Sequence, residues 1–199
     1  MKKLVTLLVC LALMIPCAAY AATMHGLVSE DCTMEIGSLR MDVKAGDYVV
    51  VYASKEDDPC MVIYPEYDGA LGFRNCITVR WVDEPLTEGT LGMRLRDYAD
   101  KRLKEIAGGY PYPAWDVSNA QVRLYEGASR TNPLLKVNLE FLMDITVSRS
   151  ELGLMHVMQK ESYYVPGNDG TYVVSLIANG LGRYQRYSKY LDTICFVQQ

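Results

Sequence analysis

The chain predicts an α+β fold, an antiparallel β-sheet with long helices lying on it, and three observations carry that reading. Leu135, Val137, Leu139, Phe141, Met143, Ile145 and Val147 alternate with Lys136, Asn138, Glu140, Leu142, Asp144 and Thr146, the period of a strand with one buried and one mostly wet face. Two further alternating runs are separated by PGNDG, residues 166–170, whose Asn, Asp and Gly tolerate the positive φ of a tight hairpin. Two other segments repeat apolar residues every three to four positions instead, as amphipathic helices do.

The first 21 residues have the anatomy of a secretory signal peptide. Lys2 and Lys3 form a basic start, Leu4 to Ile15 an apolar run too short for a stop-transfer helix, and Ala18 to Ala22 a small-residue tail. A lipoprotein leader needs a small residue directly before its cysteine, and Cys17 follows Pro16. Ala19-Tyr20-Ala21 supplies the small-x-small pattern, so cleavage is expected after Ala21. The alternatives are a retained N-terminal anchor helix and a lipid-modified Cys17. Mass spectrometry of the exported protein should show an N-terminus at Ala22, or at Thr23 if the peptidase slips by one. An acylated N-terminal cysteine would overturn this.

Removing 21 of the 199 residues leaves 178, enough for a single domain over 22–199 with a substantial core and short for two. Both lysines leave with the leader, so the formal charge of −4 becomes −6. An acidic chain with no basic run is a poor nucleic-acid binder, and no second apolar run is long enough to span a membrane. With the leader, these features predict a protein of the periplasm or one secreted from the cell.

Along the expected domain, strands are predicted at Tyr48 to Ala53, Met61 to Tyr64, Ile77 to Trp81, Gln121 to Tyr125, Met155 to Tyr164 and Thr171 to Ala178. A helix is predicted over residues 90–109, with Leu91, Leu95, Tyr98, Ala99, Leu103 and Ile106 on its apolar side. Thr87 or Thr90 caps its start and Gly108-Gly109 ends it. A second helix, Leu181 to Val197, sets Tyr184, Tyr187, Leu191, Ile194 and Cys195 along one stripe.

Four cysteines remain, Cys32, Cys60, Cys76 and Cys195, at spacings of 28, 16 and 119 residues. With no C-x-x-C, neither a zinc site nor a thioredoxin-type motif is expected, and an even number in an exported chain favours disulfides. Cys60 and Cys76 flank a strand-loop-strand unit and are expected to pair. That would leave Cys32 with Cys195, unless Cys195 is a buried thiol on the helix stripe.

Catalytic signatures are missing from the sequence: no G-x-S-x-G, H-E-x-x-H, P-loop or G-x-G-x-x-G occurs. His25 lies just past the leader, and His156 alternates with Leu154 and Met158 as an ordinary sheet histidine would. Glu56-Asp57-Asp58 lacks the alternating spacing of a calcium loop. No catalytic, cofactor or metal residue is assigned. Tyrosine stands out, with 15 against three phenylalanines and two tryptophans. Its apolar ring and polar tip suit half-wet surfaces. Tyr110, Tyr112 and Trp115, interleaved with Pro111 and Pro113, form a candidate partner-binding loop, the alternative being a loop folded over the helix end.

The order of elements resembles the PsbP-like family, the extrinsic photosystem II proteins and their non-photosynthetic relatives. The residues that carry the resemblance are SLRMDVKAGDYVVVYAS leading to LGMRLRDYADKRLKEI, and the ending TYVVSLIANGLGRYQRYSKYLDTICFVQQ, with Cys195-Phe196 at its apolar end. It covers most of residues 30 to 197. It implies an α-β-α sandwich and accessory roles: docking on other proteins and stabilising assemblies. The function expected is therefore an exported, non-catalytic binding or accessory module with a protein or envelope partner. The alternative is a small exported hydrolase or transferase with an unrecognised active site.

Overall fold

The computed structural model describes residues 24–52, 54–55, 58–69, 75–108, 115–126, 141–151 and 155–196, with backbone alone for 107–108, 115–126, 141–151 and 155–156. The elements in chain order are β1 (Met24–Leu27), β2 (Cys32–Ile36), β3 (Leu39–Val43), β4 (Tyr48–Val51), β5 (Met61–Tyr64) and β6 (Cys76–Val82). Then come α1 (Glu88–Leu91), α2 (Leu95–Gly108), β7 (Trp115–Glu126), β8 (Phe141–Glu151), β9 (Met155–Val165), β10 (Thr171–Asn179), α3 (Leu181–Asp192) and β11 (Cys195–Phe196). Among the described residues the strands form an eight-stranded antiparallel sheet, β1-β4-β5-β6-β10-β9-β8-β7, and a three-stranded one, β11-β3-β2. The fold is α+β with antiparallel sheets, as the sequence predicts.

Period-two alternation divides the central strands between two cores. On one face Tyr164, Tyr172, Val174, Leu176 and Ala178 meet Leu39, Met41 and Phe196 of the small sheet and Tyr187, Tyr190 and Leu191 of α3. On the other face Tyr163, Val165 and Val173 meet Leu95, Ala99 and Ile106 of α2. The layers are thus α2, the large sheet, and then α3 beside the small sheet. Phe196, fully buried, sits with its ring 5.8 Å from Tyr164 and 5.7 Å from Tyr172. No helix of the described residues is long and apolar enough to cross a membrane.

Several expectations are corrected. The helix predicted over 90–109 is two helices, because Gly92 takes a left-handed conformation (φ 62) that closes α1. Thr87, not Thr90, is the cap. Thr90 closes the capping box from inside the first turn. The last helix stops at Asp192. Thr193 Oγ1 donates to the Tyr190 carbonyl and accepts from the Asp42 backbone N–H, and Cys195-Phe196 then leaves as a strand opposite Arg40 and Leu39. Cys195 is therefore on a strand, not on the helix stripe. His25, just past the expected leader, lies within β1 opposite Val50.

None of Cys32, Cys60, Cys76 and Cys195 is joined in a disulfide, and the register shows why neither expected pairing forms. Met61 faces Val79 and Ile63 faces Ile77, so Cys60 lies at one end of the β5–β6 pair and Cys76 at the other. Four residues along a strand is roughly 13 Å, beyond the about 7 Å that a bridge can span. Cys32 faces Val43 and Cys195 faces Arg40 from opposite sides of β3, two inter-strand spacings and three residues apart. Instead Cys60 Sγ donates to the Val79 carbonyl, and burial pushes the Cys76 thiol up to about 11.

Candidate functional site

The turn joining β3 to β4, Lys44-Ala45-Gly46-Asp47, is where four parts of the chain meet. Gly46 allows its left-handed corner (φ 91). Asp47, 1% exposed, is its centre. Its Oδ2 accepts from the Lys44 N–H at 2.8 Å and its Oδ1 from the Glu66 N–H at 3.1 Å. The Tyr190 hydroxyl of α3 reaches both oxygens, at 3.0 and 2.9 Å. Val28, ahead of β2, closes the other side: its N–H donates to the Asp47 carbonyl and its carbonyl accepts from the Gly46 N–H.

Glu66, in the turn after β5, is the one described non-glycine residue at positive φ (51°). That conformation costs a bulky residue of order 1 kcal/mol or more, and the side chain offsets it. Its carboxylate accepts from the Tyr187 hydroxyl at 3.0 Å and pairs with Arg186, so both are α3 partners. The Arg186 guanidinium holds the Glu66 carboxyl below its ordinary range. Burial, reinforced by the hydrogen bond to Asp47, pushes the Tyr190 phenol up, and burial with Glu66 does the same to Tyr187. These groups border a cleft of about 350 Å³ between α3 and the turn, with Asp42, Lys44, Lys189 and Thr193 on its rim.

A second, smaller cleft of about 240 Å³ lies beside α2. Arg102 forks onto Glu161 of β9, Nε to Oε1 at 2.9 Å and Nη2 to Oε2 at 3.0 Å, and its Nη1 reaches Glu105 at 3.0 Å. The Tyr163 hydroxyl also donates to Glu161, which is 1% exposed. The Glu161 hydrogen bond raises the Arg102 pKa further, while burial and then Glu161 push the Tyr163 phenol up.

The raised phenols fix the alkaline behaviour. Each of Tyr163, Tyr187 and Tyr190 keeps its proton in the fold above the ordinary value of 10, whereas the unfolded chain loses it there. Their contribution is complete below pH 10 and is lost as pH rises past it, at about 1.4 kcal/mol per pH unit per tyrosine. Urea titrations between pH 8 and 11 should show stability falling from about pH 10. Tyr190→Phe should lessen the slope by close to one proton, and an unchanged slope would contradict this.

Of the residues singled out from the sequence, Tyr110 and Tyr112 lie outside the described residues. Trp115 is the first residue of β7, opposite Glu151, and His156 stands opposite Ser150 in β9, both with backbone alone described. His25 Nδ1 lies 2.8 Å from the Tyr48 hydroxyl. Tyr187 and Tyr190 pack as a stripe, as read from the sequence, and their hydroxyls hold the acids beneath them as well. The reading missed Asp47, Glu66 and the Arg102–Glu161 pair. Glu161 had a signal: it shares a face with Tyr163 and Val165, and a buried acid in such a row needs donors or a cation to satisfy it.

No family model matches this chain, and no curated protein matches it. Among solved structures it is similar to the solution structure of cyanobacterial PsbP (CyanoP) from Synechocystis sp. PCC 6803, at 9% identity and a TM-score of 0.48, over 92% of this chain and 99% of that one. A PsbP-like structure is thus met among its neighbours, and a likeness at that identity and score lends this chain neither an activity nor a partner.

Proposed function

We propose that this protein is an exported, non-catalytic binding module acting on a protein or another component of the cell envelope. The observation that carries the reading is the state of the acids around the two clefts. Asp42 accepts from the Thr33 hydroxyl, Asp47 from two backbone N–H groups and Tyr190, Glu66 from Arg186 and Tyr187, and Glu105 from Arg102. A general acid or base works with a pKa near the operating pH. Here the shifts run the other way, Glu66 down and the phenols up, so Glu66 and the phenols stay in one charge state and hold a shape. Fixed donors, fixed charges and tyrosine-rich surface serve recognition.

Export rests on the leader anatomy of residues 1–21 and places the module in the periplasm or the medium. The aromatic stretch of Tyr110, Tyr112 and Trp115, the last of them opening β7, is proposed as one contact with the partner. Capture from the protein's own envelope fraction tests the reading: one component should be enriched saturably. Replacing the three aromatics with alanine should weaken that capture and leave the melting temperature within a few degrees. A large loss of stability would place the rings in the core, where each truncation costs about 3 to 5 kcal/mol. Failure to enrich any component would sink the reading.

A further inference from the structure

β1 is an open edge of the large sheet. Among the described residues it has β4 as its one neighbour, and all four of its residues are exposed. Antiparallel pairs alternate between residues that exchange both N–H···O bonds and residues whose backbone groups point away from the partner strand. Val28 directs its N–H to the Asp47 carbonyl and its carbonyl to the Gly46 N–H. By the same alternation Gly26 and Met24 bond to Val49 and Val51. The N–H and C=O groups of His25 and Leu27 therefore point outward, where a further strand would lie.

Residue type leaves that edge unguarded. Sheet edges are commonly blunted by charged residues or proline; β2 has Glu35, and β7 has Asp116, Arg123 and Glu126. Met24-His25-Gly26-Leu27 contains no Asp, Glu, Lys, Arg or Pro. Its side chains are also left without cover. His25 and Leu27 lie on the face that α2 covers farther along, at β9 and β10. There His25 meets Tyr48, whose ring stands 4.8 Å from Tyr67 and 6.4 Å from Tyr64. Leu27 beside them is 63% exposed, and Met24, on the other face, 51%.

We propose that a second copy of this chain adds its own β1 to this edge, antiparallel and about a two-fold axis at Gly26. Self-complementarity selects the occupant. In that register His25 stands opposite Leu27 of the second copy and Leu27 opposite its His25, so the outward groups of both strands are the ones that pair. Each Leu27 then lies between Tyr48 of its own chain and His25 of the other, and each Met24 comes opposite Val28. Gly26 meets Gly26 of the second copy at the close, non-hydrogen-bonded spacing of about 4.5 Å, where no side chain obstructs the axis. The pairing is short, so the dimer is a weak one, with a Kd on the order of 100 µM. The inference stands independently of the binding-module reading.

Sedimentation equilibrium of the exported chain tests it: between about 5 µM and 1 mM the weight-average mass should rise from one copy toward two. Leu27→Pro removes an N–H that bonds nothing within the chain, and Leu27→Lys puts a charge on the edge. Both should weaken association at least tenfold with an unchanged melting temperature. Leu181→Lys, at an exposed leucine of α3, should associate as the native chain does. Hydrogen exchange should show the His25 and Leu27 amides gaining protection as concentration rises. The register has its own test. A side chain at Gly26 has open space around it, and two such positions at the axis are within the reach of a disulfide. With Cys32→Ser as background, Gly26→Cys should therefore cross-link between copies on mild oxidation at least tenfold faster than His25→Cys. A native chain monomeric at 1 mM, Leu27 variants that associate as tightly as the native chain, or an equal loss in Leu181→Lys would overturn the proposal. So would cross-linking no faster at position 26 than at 25. Protection of the His25 and Leu27 amides only by a component of the envelope fraction would also overturn it, and would give the edge to a different strand.

Discussion

Replacing Arg102 with methionine should destabilise the protein by about 3 to 5 kcal/mol, enough to lower the melting temperature by roughly 10 °C or more in a chain of this size. Methionine keeps most of the apolar stem, so the loss reports the charge. Glu161 is 1% exposed and receives both arms of the guanidinium. Without them its carboxylate is left in the α2 core with the Tyr163 hydroxyl as its remaining named donor. Taking both charges away is a different experiment, because no ion is then stranded. The double variant Arg102→Met, Glu161→Leu should recover most of the loss, as apolar replacements of buried pairs often do. A double-mutant cycle in urea reads the coupling directly. A single variant costing under about 1 kcal/mol, the worth of a solvent-exposed pair, would show that the pair is not buried as described.

Asp47→Ala should be nearly as damaging. The Lys44 and Glu66 amides and the Tyr190 hydroxyl lose their shared acceptor at once, and each buried donor left unpaired costs about 1 to 3 kcal/mol. The sum is an expected loss of about 3 kcal/mol or more, allowing for water reaching the half-open cleft. Asp47→Asn keeps the shape and one good acceptor, so it should cost distinctly less. Hydrogen exchange separates this local effect from general weakening: in the alanine variant the Glu66 and Lys44 amides should exchange far faster, while the amides of β9 and β10 change only as global stability does. Uniform acceleration across the sheet, or protection retained at Glu66, would contradict the role given to Asp47. Because Glu66 depends on this node to hold its left-handed backbone, Asp47→Ala should also free Tyr187 and Arg186.

Strands with strong period-two patterning were legible because their burial is set locally. Met61 to Tyr64 and Thr171 to Ala178 were located within a residue of β5 and β10, and the PGNDG hairpin falls between β9 and β10 as expected. The helix over 90–109 was read as one because Leu91 and Leu95 continue the apolar spacing. Gly92 interrupts it, and the φ that a glycine takes depends on its cap hydrogen bonds and not on its neighbours' hydropathy. Ile194-Cys195-Phe196 continued the stripe of α3 in the same way. Those residues left the helix because β3 had an open edge beside them and an apolar pocket under Tyr164 and Tyr172 for Phe196.

By itself the sequence determined the α+β class, the amphipathic helices, most strands and the absence of recognisable catalytic motifs, because each depends on residue type at short spacing. Only the tertiary structure decided which residues meet. Cys60 directly precedes β5 and Cys76 opens the neighbouring β6, yet their register keeps them apart, and a shift of a few residues is invisible to composition. Asp47, Glu66 and Tyr190 are separated by up to 143 positions and form one node because three turns and a helix converge there. An acid's partners are set by that convergence: the same residue in an unpaired turn would be an ordinary solvated charge, whereas here burial and directed donors make it a fixed part of the cleft.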